Sequence, residues 1–153
     1  MYKLRHILIV LFFLAFAGNV VSQTKEEKSL LKQADKLFKK KQYVQAGNIY
    51  SKLVSANSQN TTYNYKYGAC LLYTSEKKTD AFRFLEYAVK NMYEVSIAHY
   101  YLARAYHVSY RFDQAIELYA KFKGSASSKE LKNIDIDLLI KECREGKEQI
   151  KNF

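Results

Sequence analysis

The stretch Ala98-His-Tyr-Tyr-Leu-Ala-Arg-Ala-Tyr106, followed after a short break by Phe112-Asp-Gln-Ala-Ile-Glu-Leu-Tyr-Ala-Lys-Phe122, decides the fold. Both halves carry the apolar periodicity of an amphipathic helix. Small residues, Ala103 and Ala115, stand where two antiparallel helices would cross, and Leu102, Tyr106, Tyr119 and Phe122 fill the grooves beside them. The unit is a helical hairpin that cannot bury its apolar face alone.

Aligned on these two alanines, the hairpin recurs. Ala69 and Ala81 repeat the spacing of Ala103 and Ala115, Ala34 and Ala46 repeat it again, and successive copies lie 34 or 35 residues apart. Other columns agree: Leu37, Leu72 and Tyr106; Tyr50, Leu85 and Tyr119; Leu53, Ala88 and Phe122; Leu30, Tyr65 and His99. Stacked copies of such a unit share one continuous core. Helices are predicted near 25–40, 43–56, 60–74, 78–91, 95–108 and 111–123, with Thr79 or Asp80 capping the fourth. Gly124-Ser-Ala-Ser-Ser128 breaks the pattern. The Ser127-x-x-Glu130 capping box then starts a seventh helix, about 128–150, carrying Ile134, Leu138, Leu139 and Cys143. Its Lys141-Glu142, Arg144-Glu145 and Lys147-Glu148 pairs would face water.

These columns resemble the tetratricopeptide repeat family, whose unit is a 34-residue helix–turn–helix with small residues at the helix crossing. The resemblance spans about Lys28 to Ser127. It implies an all-α, right-handed superhelical array of three hairpins (about 27–60, 62–95 and 96–128) closed by a C-terminal capping helix and tail, 128–153. Two departures stand out. The proline usual after the second helix is replaced by Ser58, Tyr93 and Ser127, and the tryptophan often found early in the first helix is absent.

Composition agrees with a helical domain. The 153 residues are 48% hydrophobic and 26% charged, with no proline and five glycines, too few turn residues for a hairpin-rich sheet protein. The net charge is +10, and +8 without Lys3 and Arg5 of the N-terminal segment. Such a balance suits acidic partners, although the lysines are spread along the chain as on a solvated surface.

Residues 1–22 read as an export signal: a basic start at Lys3, Arg5 and His6, an apolar run from Ile7 to Ala17, and a break before Val20-Val21-Ser22. Cleavage is expected after Ser22. The run is short for a membrane span, which takes about 20 apolar residues, so membrane contact is expected only through this segment or a partner. In an exported protein Cys70 and Cys143 could pair. Their places inside separate helical patterns favour two buried free thiols.

No catalytic motif, phosphate loop or metal-ligand constellation emerges, so the chain is read as a non-enzyme without cofactor or metal. His99 and His107 lie about two helical turns apart, too far to share a metal alone. Asp135 and Asp137 do not face each other on a helix and read as solvated surface. Asn60-Thr61-Thr62 matches a glycosylation sequon by spacing only. An export signal also argues against nucleic acid as the partner.

What remains is a surface. In an array of this kind the first helices line the concave side. The repeat alignment puts Leu31, Asp35, Phe38 and Lys39 there from the first repeat, Lys66, Cys70 and Tyr73 from the second, and Tyr100, Arg104 and His107 from the third. Of these, Asp35, Phe38, Lys39, Lys66, Tyr73, Tyr100, Arg104 and His107 form the candidate partner-binding groove. The competing reading is that the tyrosines only pack between repeats. The family's clamp for a chaperone's C-terminal carboxylate uses a lysine and asparagines, and the matching positions here hold Leu31, Asp35, Tyr67, Ile97 and Tyr101, so that clamp is missing. The order of parts resembles the N-terminal region of Gram-negative envelope proteins in which such repeats precede a beta-propeller and an OmpA-like domain. Some of these belong to type IX secretion. That resemblance implies a periplasmic adaptor, possible outer-membrane association, and either a free-standing repeat protein or a truncated relative. The alternative role is a structural or assembly component acting through the convex face or the capping helix.

Overall fold

The computed structural model of the chain describes residues 24–74, 78–91 and 96–152. Among them are eight helices and no strand: α1 (Lys25–Lys39), α2 (Tyr43–Ala56), α3 (Thr61–Leu72), α4 (Lys78–Asn91), α5 (Ser96–Val108), α6 (Phe112–Ser125), α7 (Ser128–Leu131) and α8 (Ile136–Lys151). The first six lie within two residues of their predicted bounds. They pair as the hairpins α1–α2, α3–α4 and α5–α6, each hairpin packs on the next, and α8 closes the array against α6. Residues 1–22, read above as an export signal, and Tyr93 lie outside the described residues.

The repeat columns are the core. Ala34, Ala46, Ala69, Ala81, Ala103 and Ala115 are all completely buried, as are Tyr50, Leu85, Tyr119, Ala88 and Phe122. A methyl group at each crossing lets two helix axes approach closely while the large neighbours interdigitate. Two crossings are tighter still. A Cβ on Gly68 would lie 2.7 Å from Leu85 Cγ, and one on Gly146 would meet the Phe112 ring at 2.5 Å. Gly146 thus seats the closing helix on α6, a role its surroundings in the sequence do not announce.

Two of the hairpins turn in the same way. Lys41 and Tyr110 occupy the same repeat position and both adopt left-handed backbone, with φ of 59° and 60°. Gln42 N–H donates to the Leu37 carbonyl (3.0 Å) and Lys41 N–H to that of Phe38 (2.9 Å). Arg111 donates to Tyr106 (2.9 Å) and Tyr110 to His107 (3.1 Å). These are the paired bonds of a Schellman cap, which satisfies the last carbonyls of the first helix.

The missing prolines are replaced by side-chain hydrogen bonds. Buried Asn64 donates from Nδ2 to the carbonyls of Ser58 and Asn60, both at 2.8 Å, and so fixes the connection after α2. Ser127 caps α7 with the capping box read from its sequence. The Glu130 carboxylate accepts from Ser127 N–H (2.8 Å) and from Ser96 Oγ (2.7 Å), which ties α7 to the start of α5. These hydrogen bonds, first those from Ser127, hold Glu130 below its ordinary pKa.

Four sequence readings need correction. The seventh helix is two: α7 stops at Leu131, and α8 restarts at Ile136 with Asp135 as its cap, accepting from Leu138 N–H at 3.0 Å. The restart changes the helical phase, so Ile136, Ile140 and Cys143 face the core and Leu138 points outward. Asp135 and Asp137 are exposed but engaged, since Lys123 pairs with Asp137 at 2.7 Å. Lys147, expected to pair within its own helix and face water, bridges to Asp113 of α6. Thr79 and Asp80 lie inside α4 rather than capping it. Asn60 of the sequon caps α3, accepting from Tyr63 N–H at 3.1 Å.

The glycines give a test with opposite signs. Alanine stabilises an exposed helix by up to about 1 kcal/mol over glycine, whereas overpacking a core costs about 1–3 kcal/mol. Gly68→Ala and Gly146→Ala should therefore lower stability, and Gly124→Ala, whose Cβ would meet nothing within 4 Å, should raise it slightly. Urea unfolding of the three variants checks the order.

Candidate functional site

Asp35, Phe38 and Lys39 lie on α1, Lys66 on α3 with Tyr73 at its C-cap, and Tyr100, Arg104 and His107 on α5; two of them, Asp35 and His107, meet the hydroxyls of tyrosines buried beneath. Tyr50 is fully buried, and its hydroxyl donates to Asp35 Oδ1 at 2.5 Å. Lys66, from the next hairpin, donates to the same oxygen at 2.6 Å. The Lys66 ammonium also lies 5.9 Å from the ring centres of Tyr50 and Tyr65. Asp35 and Lys66 therefore neutralise each other at the first-repeat end of the groove. Burial, followed by the Asp35 hydrogen bond and charge, pushes the Tyr50 hydroxyl far above its ordinary pKa.

The third repeat repeats the geometry with the sign reversed. Arg104 stands where Asp35 stands in the first repeat, and Tyr119 where Tyr50 does. Tyr119 is fully buried, its hydroxyl lies 3.3 Å from His107 Nδ1, and the Arg104 charge is close by. Burial, then the Arg104 charge, lowers the His107 pKa below 6.5 against an opposing pull from Glu142. No carboxylate among the described residues forms an ion pair with Arg104.

Between the two ends the groove is aromatic. Tyr73, 43% exposed, stacks on Tyr43 with ring centres 4.2 Å apart. Phe38 packs edge-on against Tyr43, Tyr50 and Tyr101. Tyr100 contacts Tyr101, Tyr119 and Phe122. Lys39 is exposed and belongs with Leu31 and Asp35 to an open 560 Å³ depression on α1. The structure thus brings Tyr73, Tyr100, Arg104 and His107 into one cluster, joins Asp35 to Lys66 in another, and leaves Lys39 apart.

Cys70, placed on the inward face by the repeat alignment, is 1% exposed. Burial raises its thiol to about 12, and that of Cys143 to about 11, and both are free and buried. His99 is partly buried; burial first, then the Lys121 charge, lowers its pKa, against a smaller effect from the Ser96 backbone. Its Nδ1 has no well-aligned hydrogen bond. Sequence reading missed Tyr43 and Tyr67, which with Val44, Gly47, Cys70 and Tyr73 line a 610 Å³ cleft between α2 and α3. Tyr43 follows the hairpin turn and falls outside the columns of the repeat, so no periodic signal marks it.

No protein-family model matches the chain, and no curated protein matches it by sequence. Solved structures match it closely in fold. The first TPR domain of human RPAP3 superposes with a TM-score of 0.67 at 16% identity, over 82% of this chain and 95% of that one. The Yersinia enterocolitica type III secretion chaperone SycD, solved with a peptide of the translocator YopD, gives 0.67 at 14%, over 84% and 99%. The first TPR of Spaghetti (RPAP3), bound to the HSP90 peptide SRMEEVD, gives 0.65 at 17%, over 88% and 99%. The fold is therefore the superhelical array of tetratricopeptide hairpins.

The His107 contact yields a pH test. With its native pKa below the unfolded value, the stability owed to neutral His107 is complete above about pH 6.5 and is lost as pH falls through the native value. The imidazole titration followed by NMR should have its midpoint below 6.5, and Arg104→Gln should move it upward. An unmoved midpoint contradicts the Arg104–Tyr119–His107 arrangement.

Proposed function

We propose that the chain is an exported tetratricopeptide adaptor of the cell envelope, holding a segment of a partner protein in the groove lined by α1, α3 and α5. The observation that carries this reading is the cluster of Tyr73, Tyr100 and Arg104. It joins an exposed aromatic surface to a charge that no described carboxylate balances. Tyrosine and arginine are the residue types on which interface energy concentrates. The similar folds solved with peptides, SycD with a YopD segment and Spaghetti with SRMEEVD, support segment binding as a use of this architecture.

The envelope location rests on residues 1–22, with Lys3, Arg5 and His6 ahead of the apolar run. The likeness in order of parts to envelope proteins with a propeller and an OmpA-like domain supports the same compartment. A second reading, an assembly component docking through its closing helix, is favoured by the exposed apolar side chains of Leu138 and Ile150 on α8. Affinity capture from envelope extract separates the two. The groove reading expects the Tyr73→Ala/Arg104→Glu double variant to lose its partner. Undiminished capture, with cross-links confined to α7 and α8, contradicts it in favour of the second reading.

A further inference from the structure

We infer that Arg104 is a receptor for a side-chain carboxylate, and that the partner segment is acidic where it crosses Tyr73 and Tyr100. This rests on the groove reading above and adds the chemistry of the ligand.

The charged residues of the groove differ in whether they are already matched. Asp35 is neutralised by Lys66 at 2.6 Å and accepts from Tyr50 as well. Lys66 is committed to that contact and is only 16% exposed at its side chain. Lys39 projects from α1 as an ordinary exposed lysine. Arg104 differs from all three. It is partly buried, it shares one face of α5 with Tyr100 and His107, and it has no ion-pair partner among the described residues. A guanidinium keeps its charge at any physiological pH and carries five donors. No described carboxylate pairs with this fork, so its donors are available for an incoming acceptor.

The surroundings narrow the ligand. Partial burial restricts the Arg104 side chain and so reduces the entropy that a carboxylate contact would otherwise cost. Partial burial strengthens a bidentate guanidinium–carboxylate pair relative to the same pair in water. The faces of Tyr73 and Tyr100 beside it suit an apolar or aromatic neighbour in the segment. A chain terminus is a poorer fit, because Leu31, Asp35, Tyr67, Ile97 and Tyr101 supply no second cation for it. The surplus of lysine and arginine, 25 against 15 acidic residues, favours approach by an acidic segment. The Glu142 and His107 side chains that face this end do not cancel the site. Glu142 forms no ion pair with Arg104 among those described, and His107 is held neutral by burial and by Arg104 itself.

The test uses the full chain and three labelled decapeptides: alternating Leu-Asp, acetylated and amidated; its Leu-Asn counterpart; and the Leu-Asn peptide with a free C-terminal carboxylate. Fluorescence anisotropy gives affinity, and NMR of the arginine Nε–H and tyrosine ring signals gives location. We expect the Leu-Asp peptide to bind about tenfold more tightly than either Leu-Asn peptide. Arg104→Gln should erase that preference, Arg104→Lys should keep part of it, and Lys129→Gln, a remote loss of equal charge, should keep all of it. Thermal unfolding of each variant shows that the fold is retained. The proposal is overturned if Leu-Asp and Leu-Asn bind alike, if the preference survives Arg104→Gln, if Lys129→Gln removes it equally, or if the free terminus matches the aspartates. Equal binding of the Asp and Asn peptides that is abolished by Tyr73→Ala would remove the acidic chemistry and leave the groove reading standing. If no peptide moves the Tyr73, Tyr100 or Arg104 signals, both fail.

Discussion

A tyrosine can sit in a protein core only if its hydroxyl finds a partner, because an unpaired buried hydroxyl costs about 1–3 kcal/mol. Tyr50 and Tyr119 are fully buried at the same position of the first and third hairpins. Tyr50 sends its hydroxyl to Asp35 on the facing helix, and the Tyr119 hydroxyl lies 3.3 Å from His107 on its facing helix, with the Arg104 charge close by. The second hairpin has Leu85 and Cys70 at these two positions, both apolar and both buried. Where the core position is a tyrosine, the surface position is charged; where it is a leucine, the surface position is a small hydrophobe.

This coupling determines the character of the groove. Asp35 and Arg104 occupy equivalent sites at opposite ends, and the buried residue in the middle repeat leaves an uncharged floor between them. Lys66 crosses to Asp35 and cancels one end. At the other end the Tyr119 hydroxyl lies 3.3 Å from His107 Nδ1, and burial, then the Arg104 charge, lowers the pKa of that imidazole. A hairpin array with alanine at each crossing supplies a rigid frame, so side chains anchored from below present fixed positions to a partner rather than a mobile lysine surface. The aromatic wall formed by Tyr43, Tyr73 and Tyr100 then sets how a segment can lie across that frame.

The fold was legible because it depends on a repeated steric requirement. Alanine at each crossing and a large residue beside it recur with a fixed period, and all six alanines are buried. The candidate groove residues were chosen by the same periodicity, which places them on one face. What the period cannot express is pairing between columns: that Asp35 is matched by Lys66 while Arg104 has no such match depends on distances between hairpins. The closing segment was misread for a related reason. Its apolar residues fit one helix by composition, but Asp135 caps a new one and shifts the phase, exposing Leu138. Turns were likewise hidden, because Lys41 and Tyr110 take a left-handed conformation usually given to glycine or asparagine. Gly146 shows its purpose only beside the Phe112 ring.

The central claim is that the groove's charges are coupled to the tyrosines beneath them, and a double-mutant cycle measures it directly. Unfolding free energies of Tyr119→Phe, Arg104→Met and the combined variant give the interaction energy of the pair, with Leu85 and Cys70 of the middle repeat as an apolar reference pair. The account predicts a favourable coupling of about 0.5–3 kcal/mol for Tyr119 with Arg104, the range for residues in one hydrogen-bond network. Additive single effects, with a coupling no larger than that of the Leu85–Cys70 pair, would show that the core and the groove are independent and would contradict it.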